Sequence, residues 1–120
     1  MAKFFQIGCF SAAVAVAIGA FGAHGLKGLL EANQSSSTFR TAVLYHFLHT
    51  FLILLMSISP YHSESSKTIV SISAIVGIVL FSGSLYLLST LQWKWLGPIT
   101  PIGGLFFLFC WVWAALTIKI

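Results

Sequence analysis

Residues 68–91, TIVSISAIVGIVLFSGSLYLLSTL, carry no charged side chain and begin directly after Lys67. A helix rises about 1.5 Å per residue, so this stretch can cross the roughly 30 Å hydrocarbon layer of a bilayer. The strict apolar–polar alternation of a half-buried strand is absent. Within lipid every backbone N–H and C=O must be satisfied by the protein itself, and a helix does this along its own length. The stretch therefore predicts a transmembrane helix.

The same reading extends outward in both directions. Residues of about 4–23 form an uncharged run from Phe4, and about 39–58 form another that stops at Ser59-Pro60. Residues of about 98–118 form the last, with Pro98 and Pro101 near its start. Proline in a first helical turn removes only a donor that has no intrahelical partner anyway. The links between these runs are short. Leu26 to Glu31 reads as an interfacial extension of the first helix, followed by the polar turn Asn33 to Thr38. Trp93 and Trp95 in the last link suit the interfacial aromatic belt. The expected fold is all-α: a single transmembrane domain over residues 1–120, with four helices in an up-down bundle.

Composition supports this class. Of 120 residues, 58% are hydrophobic and 7% charged, where a soluble domain carries about a quarter charged. Net charge is +4, yet Lys3, Lys27, Arg40, Lys67, Lys94 and Lys119 are scattered at the borders of the apolar runs. Isolated border cations snorkel to headgroups, and nucleic-acid binding, which needs a basic patch, is not expected. Lys3, Lys67 and Lys119 flank one face and Lys27, Arg40 and Lys94 the other, so positive charge leaves orientation undecided. Cys9 and Cys110 lie inside apolar runs and read as packing residues. Met1-Ala2-Lys3 before an apolar run resembles a signal peptide, but the run exceeds the usual 7–15 residues of a signal core. It also bears Ser11, Ala15, Gly19 and Ala23 at four-residue spacing, a ladder that lets another helix approach closely. A retained helix is expected, in an integral multi-pass protein of a bacterial cell membrane.

The polar groups within the spans are grouped by depth. At 1.5 Å per residue, His46 lies roughly 9 Å and His49 roughly 14 Å inside Arg40. Ser82 and Tyr86 lie roughly 14 Å and 8 Å inside Leu91. With antiparallel spans, His24, Tyr45, His46, His49, Ser82, Ser84, Tyr86 and Thr100 share the half of the membrane nearer the first loop. A polar ring in hydrocarbon must find a partner or open to water. His24, His49, Ser82, Tyr86 and Thr100 are therefore the candidate polar cluster or ligand site, with Tyr45, His46 and Ser84 secondary. Gly83, Gly103 and Gly104 join the first-helix ladder as candidate packing positions.

The chemistry these residues offer is narrow. His46-x-x-His49 places two imidazoles on one helix face, but no Asp, Glu or Cys joins them in that half, so neither metal nor cofactor is expected. No acid orients a Ser–His pair, and no Gly-x-Ser-x-Gly elbow exists, so no catalytic residue is assigned. A four-span chain of this length is similar in outline to small multidrug transporters, whose proton coupling needs a membrane-buried carboxylate. Here Glu31 and Glu64, the acids of the chain, fall in loops.

Several segments together resemble the small membrane proteins of the transmembrane protein 256 family, also known as domain of unknown function 423. They are Gly19 to Lys27, Thr41 to Tyr45 with His49, Leu80 to Tyr86, and Ile99 to Gly104 followed by Trp111. The resemblance implies a membrane protein of a few helices with no assigned reaction. The family pattern often has Gln where this chain has His46, so a bis-histidine iron site is not among the properties implied. The expected function is a non-enzymatic bundle that packs, scaffolds or binds a small apolar molecule. The alternative is a histidine-based redox protein using haem, metal or quinone, with a small transporter behind it. Expected partners are the lipid bilayer and either another membrane protein or a second copy of the chain.

Overall fold

A computed structural model describes all 120 residues. It is entirely helical: α1 (Ala2–Ala23), α2 (Lys27–Ala32), α3 (Ser36–Ile58), α4 (Glu64–Gly77), α5 (Gly83–Leu91) and α6 (Ile99–Leu116). A π-helical turn, Ile78–Ser82, joins α4 to α5, and a 3-10 turn, Lys94–Leu96, precedes α6. Four continuous helical stretches, Ala2–Ala23, Ser36–Ile58, Glu64–Leu91 and Lys94–Leu116, are long and apolar enough to span a membrane. The overall dimensions of 50 × 27 × 19 Å describe a flattened bundle, long enough for the bilayer. The segment from Leu26 is a separate short helix here, because the chain turns at His24 and restarts at Lys27.

The inner spans are α3 and α4–α5, buried over 44% and 39% of their most apolar windows, against 11% for α1 and 17% for α6. Leu52, Ile53, Met56, Val70, Ala74 and Cys110 form the apolar core, in the half away from the first loop. The outward faces of α1 and α6 present Phe10, Phe21, Leu105 and Leu108. Lipid tails are as apolar as these side chains, so exposure there costs nothing and close packing must hold the helices together.

Glycine supplies that packing at two crossings. On α1 the buried residues are Gly8, Ala15 and Gly22, seven apart. A Cβ on Gly22 would stand 2.1 Å from the Phe39 ring, and one on Gly8 would stand 2.6 Å from Leu54. The contact line toward α3 is therefore a heptad seam, with Ser11 and Gly19 beside it. At the second crossing, a Cβ on Gly103 would stand 2.3 Å from the Phe81 nitrogen, and backbone cannot yield as a side chain can. The wide π turn and α6 thus meet backbone to backbone.

Each end of the bundle is closed by side chains that cap a helix C-terminus. Asn33 Nδ2 donates to the Ser89 and Thr90 carbonyls (3.2 Å each), and Ser35 Oγ donates to Ser89 O (2.6 Å). At the opposite end His62 Nε2 donates to the Ala114 carbonyl (2.8 Å), while Ser59 Oγ donates to its Nδ1 (2.8 Å). Carbonyls in a last helical turn have no intrahelical donor, so these loop residues pin α5 and α6 in place. α2 ends in a Schellman motif: Ser35 N–H reaches Leu30 O (2.9 Å) and Gln34 N–H reaches Glu31 O (3.1 Å). Gln34 holds the left-handed position there with φ 53°.

Candidate functional site

His46 and His49 lie three residues apart on α3 yet serve opposite sides of it. Both are buried. The His49 ring lies flat against Phe107 of α6, with centroids 3.4 Å apart and planes within 9°. Its Nδ1 is 2.7 Å from the Tyr45 carbonyl, and its Nε2 accepts from the Trp111 indole N–H at 3.0 Å. A carbonyl can only accept and an indole N–H can only donate. The proton is therefore on Nδ1 and the lone pair on Nε2, so His49 is a neutral ring of defined tautomer. Tyr45 and Phe81 extend the aromatic group, their centroids 4.8 Å apart. Outside this group a groove of about 550 Å³ opens between α3 and α6, bordered by Tyr45, His49, Phe81, Leu105, Phe107 and Trp111.

His46 has hydroxyls on both sides. Its Nδ1 is 2.8 Å from Tyr86 Oη on α5, and its Nε2 is 3.0 Å from Ser11 Oγ on α1. Ser11 Oγ in turn lies 2.7 Å from Thr50 Oγ1. Every hydroxyl in this chain can donate or accept, so the proton can sit on either ring nitrogen. The chain ties α1, α3 and α5 together across the same depth at which His49 ties α3 to α6.

The remaining candidates form separate pairs. Ser82 Oγ donates to the Ala42 carbonyl (2.8 Å), fastening the π turn to α3. Ser84 Oγ donates to the Phe81 carbonyl (2.9 Å) and lies 2.5 Å from Thr100 Oγ1, which joins α5 to α6. His24 stands exposed at the end of α1 and meets none of the others. The structure thus joins Tyr86 to His46, Thr100 to Ser84 and His49 to the Tyr45 carbonyl, in three adjoining groups. Of the packing positions, Ala15 is buried and Gly19 reaches Val43, whereas Ala23 is exposed; Gly83 and Gly104 have looser surroundings than Gly103.

Sequence reasoning passed over Trp111 and Phe107 as partners of His49, and Ser11 and Thr50 as partners of His46. Thr50 carried a signal, since it follows His46 by four residues and so lies on the same helix face. Ser11 carried another, being a hydroxyl midway along an apolar span. Nothing in the linear spacing indicated Trp111, whose side chain arrives from a different helix.

Fold and polar network together define a small multi-pass helical membrane protein. The chain belongs to the family described as a protein of unknown function (DUF423), whose model matches residues 18–104. It is 39% identical over 114 residues to the UPF0382 membrane protein YwdK of Bacillus subtilis, covering 93% of this chain and 92% of that one. Similarity to a UPF0382 membrane protein of Haemophilus influenzae is 37% identity, covering 92% and 88% of the two chains. A UPF0382 membrane protein of Schizosaccharomyces pombe, C1782.12c, is 32% identical, covering 88% and 92%. No solved structure matches the chain.

Proposed function

We propose that this protein is a non-enzymatic membrane bundle that takes a small apolar molecule from the lipid into the groove between α3 and α6. The observation that carries this reading is an aromatic-walled groove of about 550 Å³, a size typical of small-ligand sites. Its lining includes Tyr45, 37% exposed, whose hydroxyl has no hydrogen-bond partner within the protein. A phenol at membrane depth gains from a ligand acceptor such as a carbonyl. The favoured ligand is therefore an apolar molecule, flat enough to lie on aromatic rings and bearing at least one acceptor.

His49 gives the groove a rigid wall. Both of its nitrogens are engaged by protein groups, so it acts as a strut and offers no free lone pair to an iron or other metal. A haem or metal reading built on His49 would require that ring to abandon Trp111.

The test is purification in native lipid, followed by mass spectrometry of co-eluting small molecules from the parent chain and from Tyr45→Phe and Leu105→Trp variants. A stoichiometric apolar molecule, weakened by Tyr45→Phe and excluded by Leu105→Trp, is the expected result. Bulk lipid alone, identical in all three samples, would refute the reading.

A further inference from the structure

A second groove, of about 600 Å³, lies between α1, α2 and α3 at the membrane rim nearer the first loop. Its two ends differ in chemistry. At the rim it is bordered by Lys27, Arg40 and Glu31; deeper, by Gly19, Val43 and Phe47. Phe47 lies roughly 10 Å below Arg40 along α3. Gly19 has no side chain and Val43 packs beside it, 3.4 Å from where a Cβ would stand, so the deep part is a shallow apolar furrow along α1 and α3.

The cations at the rim have no protein partner. The ion pair in this structure is Lys67–Glu64, at the opposite end. Lys27 and Arg40 are exposed, make no side-chain hydrogen bond and face the same groove. Two cations and one carboxylate leave a net charge of +1. One phosphodiester neutralises it, whereas Glu31 disfavours a doubly charged headgroup. A negative group with an apolar tail below it is the chemistry of a membrane phospholipid, and basic pockets between membrane helices hold such headgroups.

We propose that this groove is a site for one anionic glycerophospholipid carrying a single negative charge. Its phosphodiester lies between Lys27 and Arg40, and one acyl chain runs past Gly19 and Val43 toward Phe47. The Glu31 carboxylate accepts from hydroxyls of a glycerol headgroup. This site is independent of the α3–α6 groove, and either can fail without the other.

The experiment is native mass spectrometry of the full chain in detergent, titrated with phosphatidylglycerol, with phosphatidylcholine, and with phosphatidylglycerol plus excess inorganic phosphate. One phosphatidylglycerol is expected to bind about tenfold more tightly than phosphatidylcholine, and inorganic phosphate should not displace it. The Lys27→Gln/Arg40→Gln double variant should lose that preference. Lys94→Gln, at the same rim outside the groove, should keep it. Gly19→Leu should weaken both lipids by filling the furrow, and a circular dichroism melt on each variant confirms folding. Equal binding of the two lipids, or equal loss in Lys94→Gln, would reduce the site to general rim attraction and overturn the proposal. Displacement by inorganic phosphate would also overturn it, in favour of a free-anion site.

Discussion

The two sides of α3 solve one problem in different ways. Toward α6, His49 is held by a carbonyl, an indole N–H and the face of Phe107. None of those partners can exchange roles. Toward α1 and α5, His46 is held by Tyr86 and Ser11, and both can. A polar ring in lipid needs partners on either side, but only the α6 side dictates where its proton resides. The comparison separates a rigid aromatic joint from an adaptable hydroxyl chain within one turn of helix.

The largest effect is expected where the rigid side depends on backbone contact. Gly103→Ala places a Cβ against the Phe81 nitrogen and should destabilise the protein by about 3 kcal/mol. A thermal melt in detergent that shifted by no more than a surface substitution would show that α6 does not need this approach. His49→Leu comes next. It deletes the ring stacked on Phe107 and strands the Trp111 N–H, at a cost of about 2 kcal/mol. The corresponding His46→Leu should cost about 1 kcal/mol: it strands the Tyr86 hydroxyl, which can rotate toward another acceptor, while Ser11 keeps Thr50 as a partner. Steric-trap or melting measurements of the two variants side by side test the asymmetry, and equal losses would erase it. His46→Gln, which retains a donor and an acceptor in one amide, should recover most of the loss.

Depth along each span was readable because apolar length and border cations set the height of every side chain. Hence His46, His49, Ser82, Tyr86 and Thr100 were all assigned to one half of the membrane from spacing alone. Lateral direction was not readable, since height leaves open which neighbour a helix face meets. Ser11 illustrates this: as a rung of the four-residue ladder it reads as a small packing residue, yet the seam actually follows Gly8, Ala15 and Gly22, and Ser11 serves His46. Trp111 illustrates it again, lying far from His49 in the chain. The π turn was legible only through its neighbour Gly83, which reads as a packing position. Its extra residue per turn leaves no compositional trace.

The smallest effect concerns the rim that steadies the hydroxyl side. Gln34 adopts a left-handed conformation beside Asn33 and Ser35, which cap α5. Gln34→Gly should stabilise the bundle by about 0.5–1 kcal/mol by removing Cβ strain, read as a small rise in melting temperature. A fall would mean that the Gln34 side chain holds the loop by a contact outside the bundle.

The most direct test is nitrogen-15 NMR of the histidine side chains in lipid. His49 is expected to give one neutral form, protonated at Nδ1 and bare at Nε2, with a coupling to the Trp111 indole proton. His46 is expected to show signals averaged between its two tautomers. A His49 protonated at Nε2, doubly protonated, or shifted by a bound metal would contradict the rigid joint and reopen that ring as a ligand.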